Sequence, residues 1–405
     1  MAKKKSRGLN GKLLLGAGIG GGILVLIVIA IAAIFGVNLE GADLDELSDI
    51  FSATPEPGSP ADRLPTVTAP AGNPDIITTD GNSWYEIYFT DPACAKSPAE
   101  RVGGIDQIIA DDIRLAQYQV DIAAFELDDG PIADALIELE DQGVLVRVVV
   151  DSDQIGPESA INRLRRNGIS VVEDNRSALM HDKFIVVDGA VVWTGSMNYT
   201  SNGAYCNNNN AVRFAVPELA ANYTAEMDEM YLARRFGPSS PENTPHPQVT
   251  VDGVLIENYF GSEISIDEIV GARLREANSE ILFLAFSFTN DFLGDTIFDK
   301  GLDGITVRGV FETSGSETEY SDYSRLADLA AASTNVAVRQ DENGRLMHHK
   351  VMIIDRRIVI FGSYNFTISA DDSNDENLVI VHDPVFASFF VEEFETVWAE
   401  SSPTR

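Results

Sequence analysis

The stretch MHDKFIVVDGAVVWTGSMN, residues 180–198, decides how this chain is organised, because it returns in altered form as MHHKVMIIDRRIVIFGSYN, residues 347–365. Each copy reads His-x-Lys, four residues, Asp, six residues and Gly-Ser-x-Asn, and matching positions lie 167 residues apart. Three of the five histidines of the chain fall within these two windows. The repeated polar residues are His181, Lys183, Asp188, Ser196 and Asn198 in the first copy and His348, Lys350, Asp355, Ser363 and Asn365 in the second.

The elements around the motifs also repeat. In each half, apolar strand-like runs alternate with helix-like stretches, which favours an α/β fold with helices on the sheet faces. We therefore predict a duplicated domain with two α/β/α halves related by a pseudo-two-fold axis. The predicted halves are residues 83–237 and 251–405, joined by a proline-rich linker at residues 238–250.

The N-terminal region differs from the rest in composition. Residues 1–12 are basic, and residues 13–37 form an uncharged apolar run long enough to span a bilayer as a helix. Residues 38–82 are acidic and rich in proline, as expected for an extended stalk. The basic flank predicts a cytoplasmic N-terminus and a single-pass membrane protein whose folded part is extracytoplasmic. In the competing interpretation, residues 13–37 belong to a cleaved signal peptide and the protein is secreted.

The charge balance limits the kinds of partner. The chain has 63 acidic and 29 basic residues, a formal net charge of −34. Such a surface repels polyanions, which disfavours avid non-specific binding of nucleic acid, although a local basic cleft stays compatible with it. Only two cysteines are present, Cys94 and Cys206, so a Cys-x-x-Cys metal site is excluded and either a disulfide or two free thiols is expected.

Strand geometry assigns faces within each motif. Residues i and i+2 of a strand point the same way, so His181 and Lys183 share one face, while His349 in the second copy points away from the site. Asp188 and Asp355 follow directly after apolar runs, where a hairpin turn is expected. For these two aspartates, a turn role and a catalytic role are both open.

Two copies of the pattern with identical spacing resemble the signature of the phospholipase D superfamily over residues of about 84 to 400. The resemblance implies that the two motifs meet in one site at the interface of the halves. One histidine then attacks phosphorus and forms a phosphohistidine, while the other protonates the leaving alcohol and later activates water. It further implies that no metal or cofactor and no oligomer is needed. The implied catalytic residues are His181, Lys183, His348, Lys350, Asn198 and Asn365, together with Asp188 and Asp355 if the catalytic role holds for them, and the implied substrate-binding residues are Ser196 and Ser363.

Members of the superfamily often use a carboxylate beyond the motif to orient a histidine. Glu376, 28 residues after His348, fits this role, whereas the matching position after His181 is Asn209. An amide orients a ring by hydrogen bonding but does not offset positive charge. Family precedent favours His181 as the nucleophile, and this asymmetry leaves the assignment open.

Four functions are compatible with these residues. The first is a phospholipase D-type phosphodiesterase acting on phospholipid head groups, and the second is an extracytoplasmic nuclease of the same superfamily. The third, a phosphatidyl transferase, fits an outward-facing domain with a single anchor less well. The fourth, a non-catalytic binding module, is disfavoured because all four motif histidines and lysines are present.

Overall fold

The computed structural model describes residues 84–156 and 159–403. The predicted basic segment, membrane anchor and stalk at residues 1–82 lie outside the described residues. Within the described part of the chain, no helix is both long and apolar enough to cross a bilayer.

The first half contains seven strands and five helices in the described residues. They are β1 (Tyr85–Phe89), α1 (Ile105–Ile113), β2 (Gln119–Ala124), α2 (Gly130–Asp141), β3 (Leu145–Val150), α3 (Ala160–Arg166), β4 (Ser170–Glu173), β5 (Lys183–Val187), β6 (Val191–Gly195), α4 (Ser201–Tyr205), β7 (Asn210–Phe214) and α5 (Pro217–Tyr231).

The second half repeats this order and adds a strand at each end and a short helix after the strand that matches β3. Its elements are β8 (Gln248–Val251), β9 (Val254–Phe260), α6 (Ile266–Arg275), β10 (Glu280–Ala285), α7 (Asp291–Leu302), β11 (Thr306–Phe311), α8 (Thr313–Ser316), α9 (Tyr323–Ala332), β12 (Val336–Gln340), β13 (Lys350–Ile354), β14 (Ile358–Gly362), α10 (Ile368–Asp372), β15 (Asn377–His382), α11 (Pro384–Glu400) and β16 (Ser402–Pro403). Strand β8 begins inside the segment 238–250 that the sequence predicts to be a linker.

The two sheets have the same strand order. The first runs β1-β7-β6-β5-β2-β3-β4, and the second runs β9-β15-β14-β13-β10-β11-β12 with β8 and β16 added at its two edges. Strands β2, β3 and β4 are parallel, while β5, β6 and β7 are antiparallel neighbours. The mixed α/β architecture and the duplication are therefore as the sequence predicts.

Local sequence explains where the helices begin. The carboxylate of Asp129 accepts a hydrogen bond from the backbone N–H of Ile132 at the start of α2, and Asn290 caps α7 in the same way through Leu293. Side-chain caps of this kind satisfy a backbone donor that the helix itself leaves free. Asn290 corresponds to Asp129 in the repeat at an offset of 161, so the capping position is retained across the two halves.

Helices α5 and α11 pack into a core shared by both sheets. This core contains Met227 of α5, Phe390 of α11, and inward residues of each sheet such as Phe184 and Phe361. Burying one such side chain stabilises the fold by roughly 1.5–3 kcal/mol. Because the core draws on both sheets, the two halves form one packed body.

Two arginines at matching positions of the repeat attach α5 and α11, the helices of the shared core, to their sheets. Arg147 of β3 pairs with Asp121 and with Asp228 of α5, and Arg308 of β11 pairs with Glu395 of α11. Fixing these two helices against β3 and β11 holds the shared core in register.

The two halves also meet through backbone hydrogen bonds at the entrance to the motif strands. The N–H of His181 donates to the carbonyl of Asp375, and the N–H of His348 donates to the carbonyl of Asn208. The first bond joins the segment before β5 to the segment before β15, and the second joins the segment before β13 to the segment before β7. This pairing places the two motif histidines at the interface between the halves, which we call the seam.

Candidate active site

The rings of His181 and His348 are each held by the opposite half. Nδ1 of His181 lies 2.7 Å from Oε2 of Glu376, and Nδ1 of His348 lies 2.9 Å from Oδ1 of Asn209. Both histidines are buried. Sequence analysis identifies Glu376 and Asn209 as ring partners, but spacing along the chain does not reveal that each crosses the seam.

The partner side chains fix which nitrogen of each ring carries a proton. Asn209 donates through Nδ2 to the carbonyl of Gly203, so its Oδ1 is the atom that faces His348 and accepts from Nδ1. Glu376 accepts from the Oγ of Ser363 and from the Nδ2 of Asn374, so it also acts as the acceptor towards His181. Nδ1 is thus the donor in both rings, and Nε2 is the nitrogen left for chemistry.

Ser196 and Ser363 do not have the place that the sequence predicts for substrate-binding residues. Both are fully buried behind the ring partners, where Ser196 donates to Asn209 and Ser363 donates to Glu376. Ser196 also accepts a hydrogen bond from the backbone N–H of Asn210, and Ser363 accepts one from the backbone N–H of Asn377. Their position corrects the prediction, because a hydroxyl used in this way supports the partner of the histidine.

Lys183 and Lys350 are almost completely buried and point to the same site. Each ammonium donates to the carbonyl oxygen of the motif histidine two residues earlier, at 2.7 Å for Lys183 and 2.8 Å for Lys350. Burial lowers the pKa of Lys183 to about 8, although Glu376 opposes this. Burial and the neighbouring Lys183 hold the pKa of Lys350 well below its ordinary value.

The same charges act on the imidazoles. Burial, followed by the effects of Lys183 and Lys350, holds the pKa of His181 well below 6.5. Burial and the two lysines lower the pKa of His348 in the same direction. Burial raises the pKa of Glu376 to about 8, opposed first by Lys183. The centre is therefore desolvated and disfavours uncompensated positive charge, and an anionic ligand would favour the protonated forms of its lysines and imidazoles.

An aromatic ring covers the histidine and the lysine in each half. Phe125 packs edge-on against His181 with ring centroids 4.8 Å apart, and Phe286 packs against His348 at 4.6 Å. The ammonium of Lys183 lies 5.1 Å from the Phe125 centroid, and that of Lys350 lies 4.5 Å from Phe286. These contacts limit the access of water and fix the ring planes.

Asn198 and Asn365 stand at the ends of the second motif strands and are only half-buried. The Nδ2 of Asn198 donates to the carboxylate of Glu126 at 2.8 Å. In both amides, Oδ1 is buried and accepts no hydrogen bond from any described residue. Glu126 has no acidic equivalent in the second half, where Ser287 stands at the matching place.

Asp188 and Asp355 lie far from the histidines. Strand β5 separates Asp188 from His181, a distance on the order of 20 Å at roughly 3.3 Å per residue. Asp188 accepts the backbone N–H groups of Gln117, Tyr118 and Gln119, and both aspartates adopt positive φ at the hairpin turn. The position corrects the catalytic alternative and agrees with the turn role.

The charge state of Asp355 agrees with that role. Burial acts to raise the pKa of Asp355, but hydrogen bonds from Glu280, Ser279 and Asn278 outweigh it and lower this pKa to about 2. The carboxylate therefore stays ionised as an acceptor for these donors and has no proton to exchange near neutral pH.

The residues between the motif histidine and lysine face the other way, as strand alternation predicts. His349 is completely buried between Asn210 and Glu393, and Asp182 accepts a hydrogen bond from Asn377. Each of these contacts with an asparagine crosses from one half to the other. These two contacts hold the halves together on the side of the strands that faces away from the motif histidines. The sequence contains no motif that predicts this role.

A cavity of about 740 Å³ opens beside His348 and Asn198. Glu126, Asp128 and Leu127 line one side, and Arg345 and Leu346 of the second half line the other. The lining thus carries two acidic side chains, Glu126 and Asp128, against one basic side chain, Arg345. Cys94 and Cys206 form a disulfide, so of the two alternatives from the sequence the disulfide is the one present. The bond anchors the segment that leads to Asn209.

Parts of the chain are similar to curated proteins. It is 34% identical to the mitochondrial cardiolipin hydrolase of Chlamydomonas reinhardtii over 117 residues, which is 29% of this chain and 52% of that protein. It is 28% identical to the phospholipase D of Rickettsia prowazekii over 139 residues, 34% of this chain and 65% of that protein. The chain therefore spans about half to two thirds of the length of these relatives.

Similarity at the level of structure extends further. The crystal structure of phosphatidylserine synthase from Haemophilus influenzae matches 78% of this chain and 87% of its own, with a TM-score of 0.61 and 15% identity. At this identity the likeness concerns the fold alone. The family described as "Cardiolipin synthase, PLD-like domain" matches residues 109–231 and again residues 270–398. Since these two matches take in more than half of the sequence, the chain belongs to the family of phospholipase D-like domains.

Proposed function

We propose that the protein is a phosphodiesterase of phospholipase D type, which hydrolyses head-group phosphodiester bonds of phospholipids through a phosphohistidine. One observation carries the proposal. Two buried imidazoles, each held through Nδ1 by the opposite half, share a desolvated centre with two buried ammonium groups. This arrangement offers a nucleophile, a proton donor and charge stabilisation around one phosphorus atom.

In the first step, Nε2 of His181 attacks phosphorus and the bond to the leaving oxygen breaks. The leaving oxygen takes its proton from Nε2 of His348, which ends the step neutral. Proton transfer from a positioned side chain typically contributes 10²–10⁴-fold to the rate. Lys183 and Lys350 stabilise the charge on the non-bridging oxygens.

In the second step, His348 removes a proton from water as that water attacks phosphorus. The bond between phosphorus and Nε2 of His181 breaks, and both rings return to their starting state with His348 protonated. Binding of an anionic phosphodiester opposes the two lysines, which favours the protonated form of His348 that the first step requires.

The unequal ring partners support His181 as the nucleophile. Phosphorylation at Nε2 while Nδ1 keeps its proton gives the ring positive charge. This charge opposes the effect of burial on Glu376 and favours its ionised form, and the carboxylate in turn offsets the charge on the ring. Asn209, the partner of His348, is neutral and holds its ring only by a hydrogen bond. A carboxylate beside an imidazole stabilises the imidazolium form in this way in other covalent mechanisms.

The cavity supports a phospholipid head group over a nucleic acid. Glu126 and Asp128, set against Arg345 as the one basic side chain of the lining, would repel the further phosphates of a polynucleotide, while a single phosphodiester would enter beside His348. The net charge of −34 acts in the same direction. We further propose that residues 13–37 anchor the domain beside the membrane that contains its substrate, with the domain extracytoplasmic.

The test uses the full-length chain purified in detergent. Turnover of labelled phosphatidylcholine, cardiolipin and single-stranded DNA is compared in the presence of EDTA. We expect release of the head group or of phosphatidic acid from lipid that persists in the chelator, with little cleavage of DNA. Preferential cleavage of DNA would favour the nuclease, and transfer of the phosphatidyl group to added glycerol in place of water would favour the transferase. Loss of all turnover in EDTA would contradict the mechanism.

A further inference from the structure

Three glutamates meet at the seam, outside the residues of the proposed reaction. Glu226 and Glu229 belong to α5 of the first half and are three residues apart, which places them on the same face of the helix. Glu263 belongs to the loop between β9 and α6 of the second half. One carboxylate oxygen from each residue lies within 4.8 Å of the other two.

Two of these carboxylates are removed from solvent. Glu226 is 4% exposed and Glu229 is 7% exposed. Ser240 and Asn243 lie near Glu229 and act to lower its pKa, yet both of its oxygens are buried and accept no well-aligned hydrogen bond from a described residue. An ionised carboxylate buried without donors is costly unless a cation or a proton compensates for it.

The surrounding charge increases this cost. Asp182 and Asp375 act on Glu226, while Asp375 and Glu242 act on Glu263. Burial and these neighbours raise the pKa of Glu226 well above its ordinary value, and burial first of all raises that of Glu263 to about 7.

Two arginines lie close to the group without balancing it. Arg235 acts on Glu229, whereas Arg176 is bound to Asp375 and to the carbonyl of Ser373. Negative charge therefore exceeds positive charge around the three glutamates.

We propose that Glu226, Glu229 and Glu263 bind one hard divalent cation, with Ca²⁺ as the best fit. Carboxylate oxygens are the ligands that Ca²⁺ and Mg²⁺ prefer, and three carboxylates supply up to six oxygens. Mg²⁺ demands octahedral geometry and retains several waters, for which a site this buried has little room. Ca²⁺ tolerates irregular geometry and accepts bidentate carboxylates.

The cation acts on the architecture of the seam. It joins α5 of the first half to the loop of Glu263, which is held against the segment that ends at Glu376. The N–H of Gly261 donates to the carbonyl of Glu376, and Ser262 binds the carbonyls of Asp371 and Asn374. A bound cation would therefore stiffen the support of the side chain that orients His181, while taking no part in the reaction.

The experiment measures Ca²⁺ binding and melting temperature of the full-length chain after removal of metals with a chelator. Titrations are run in 1 M KCl, where the Debye length of about 3 Å suppresses loose binding to the acidic surface. We expect about one Ca²⁺ per chain by isothermal titration calorimetry and a rise in melting temperature of about 4 °C at saturating Ca²⁺. Mg²⁺ should give a smaller rise.

Glu229→Gln is the main variant, and Glu268→Gln on the exposed face of neighbouring α6 is the matched control. Glu229→Gln should fold, since it removes a buried charge, and should lose the Ca²⁺-induced shift, whereas the control should keep it. Absence of Ca²⁺ binding by the unmodified chain, or an unchanged shift in Glu229→Gln, would overturn the proposal. Because the readout is binding and stability, its outcome is independent of whether the protein hydrolyses phospholipids.

Discussion

The two halves share a strand order and a motif, yet they treat their histidines differently. The first half lends Asn209 to the ring of the second, and the second half lends Glu376 to the ring of the first. Next to the rings the supporting parts are matched, since a serine, a lysine and a phenylalanine occupy equivalent places on both sides. Farther out, Glu126 of the first half has Ser287 as its counterpart. The difference at the rings themselves, a carboxylate beside one and an amide beside the other, is the basis on which we propose different roles for the two histidines.

The largest expected effect is the loss of turnover on replacing either motif histidine, and the two variants should differ in the step that they lose. His181→Ala and His348→Ala should each lower phospholipid turnover about 10⁴-fold or more, because both steps need both rings. With bis(p-nitrophenyl) phosphate, whose leaving group needs no proton, His348→Ala should still release one equivalent of nitrophenol and accumulate a phosphorylated His181. His181→Ala should show no such burst.

Rapid-mix measurement of nitrophenol and mass spectrometry of the trapped peptide decide the assignment. His246→Ala, which changes an exposed histidine between the halves, is the control and should retain full turnover. A burst in His181→Ala together with a phosphorylated His348 would reverse the assignment of the nucleophile.

The next effect comes from making the two sides alike. Glu376→Gln gives His181 a neutral amide partner, similar to that of His348. We expect kcat to fall about 10²–10³-fold with little change in KM, because the positive charge on phosphorylated His181 loses its counter-charge. Steady-state kinetics and circular dichroism test this, and a fall in kcat below tenfold in a folded variant would show that the carboxylate is not needed for the chemistry.

The smallest effect comes from the reverse exchange. Asn209→Asp gives His348 a carboxylate partner. Burial and the lysines lower the pKa of His348 in the native protein, and an added negative charge raises it. Since the general acid must be protonated, the alkaline limb of the kcat/KM profile should move upward by about 1–2 pH units. An unmoved or lowered limb would argue against His348 as the acid.

The sequence alone predicts much of the fold and of the candidate site, because each element occurs in two copies whose patterns can be compared. Spacing and alternation predict the motif strands, the hairpin turns at Asp188 and Asp355 and the orientation of His349 away from the site. They do not predict the crossing of Glu376 to His181, because it depends on how the two sheets face each other. The burial of Ser196 and Ser363 and the meeting of Glu226 with Glu263 arise from the same long-range packing, which leaves no periodic trace.

The disulfide between Cys94 and Cys206 has a consequence for how the chain matures. It closes a loop of 112 residues and ends three positions before Asn209. These are the only thiols in the chain, so oxidation has a single intramolecular product and needs no isomerase to sort it. A reducing compartment would withhold this link and loosen the support of His348, whereas the extracytoplasmic location proposed above would allow the link to form.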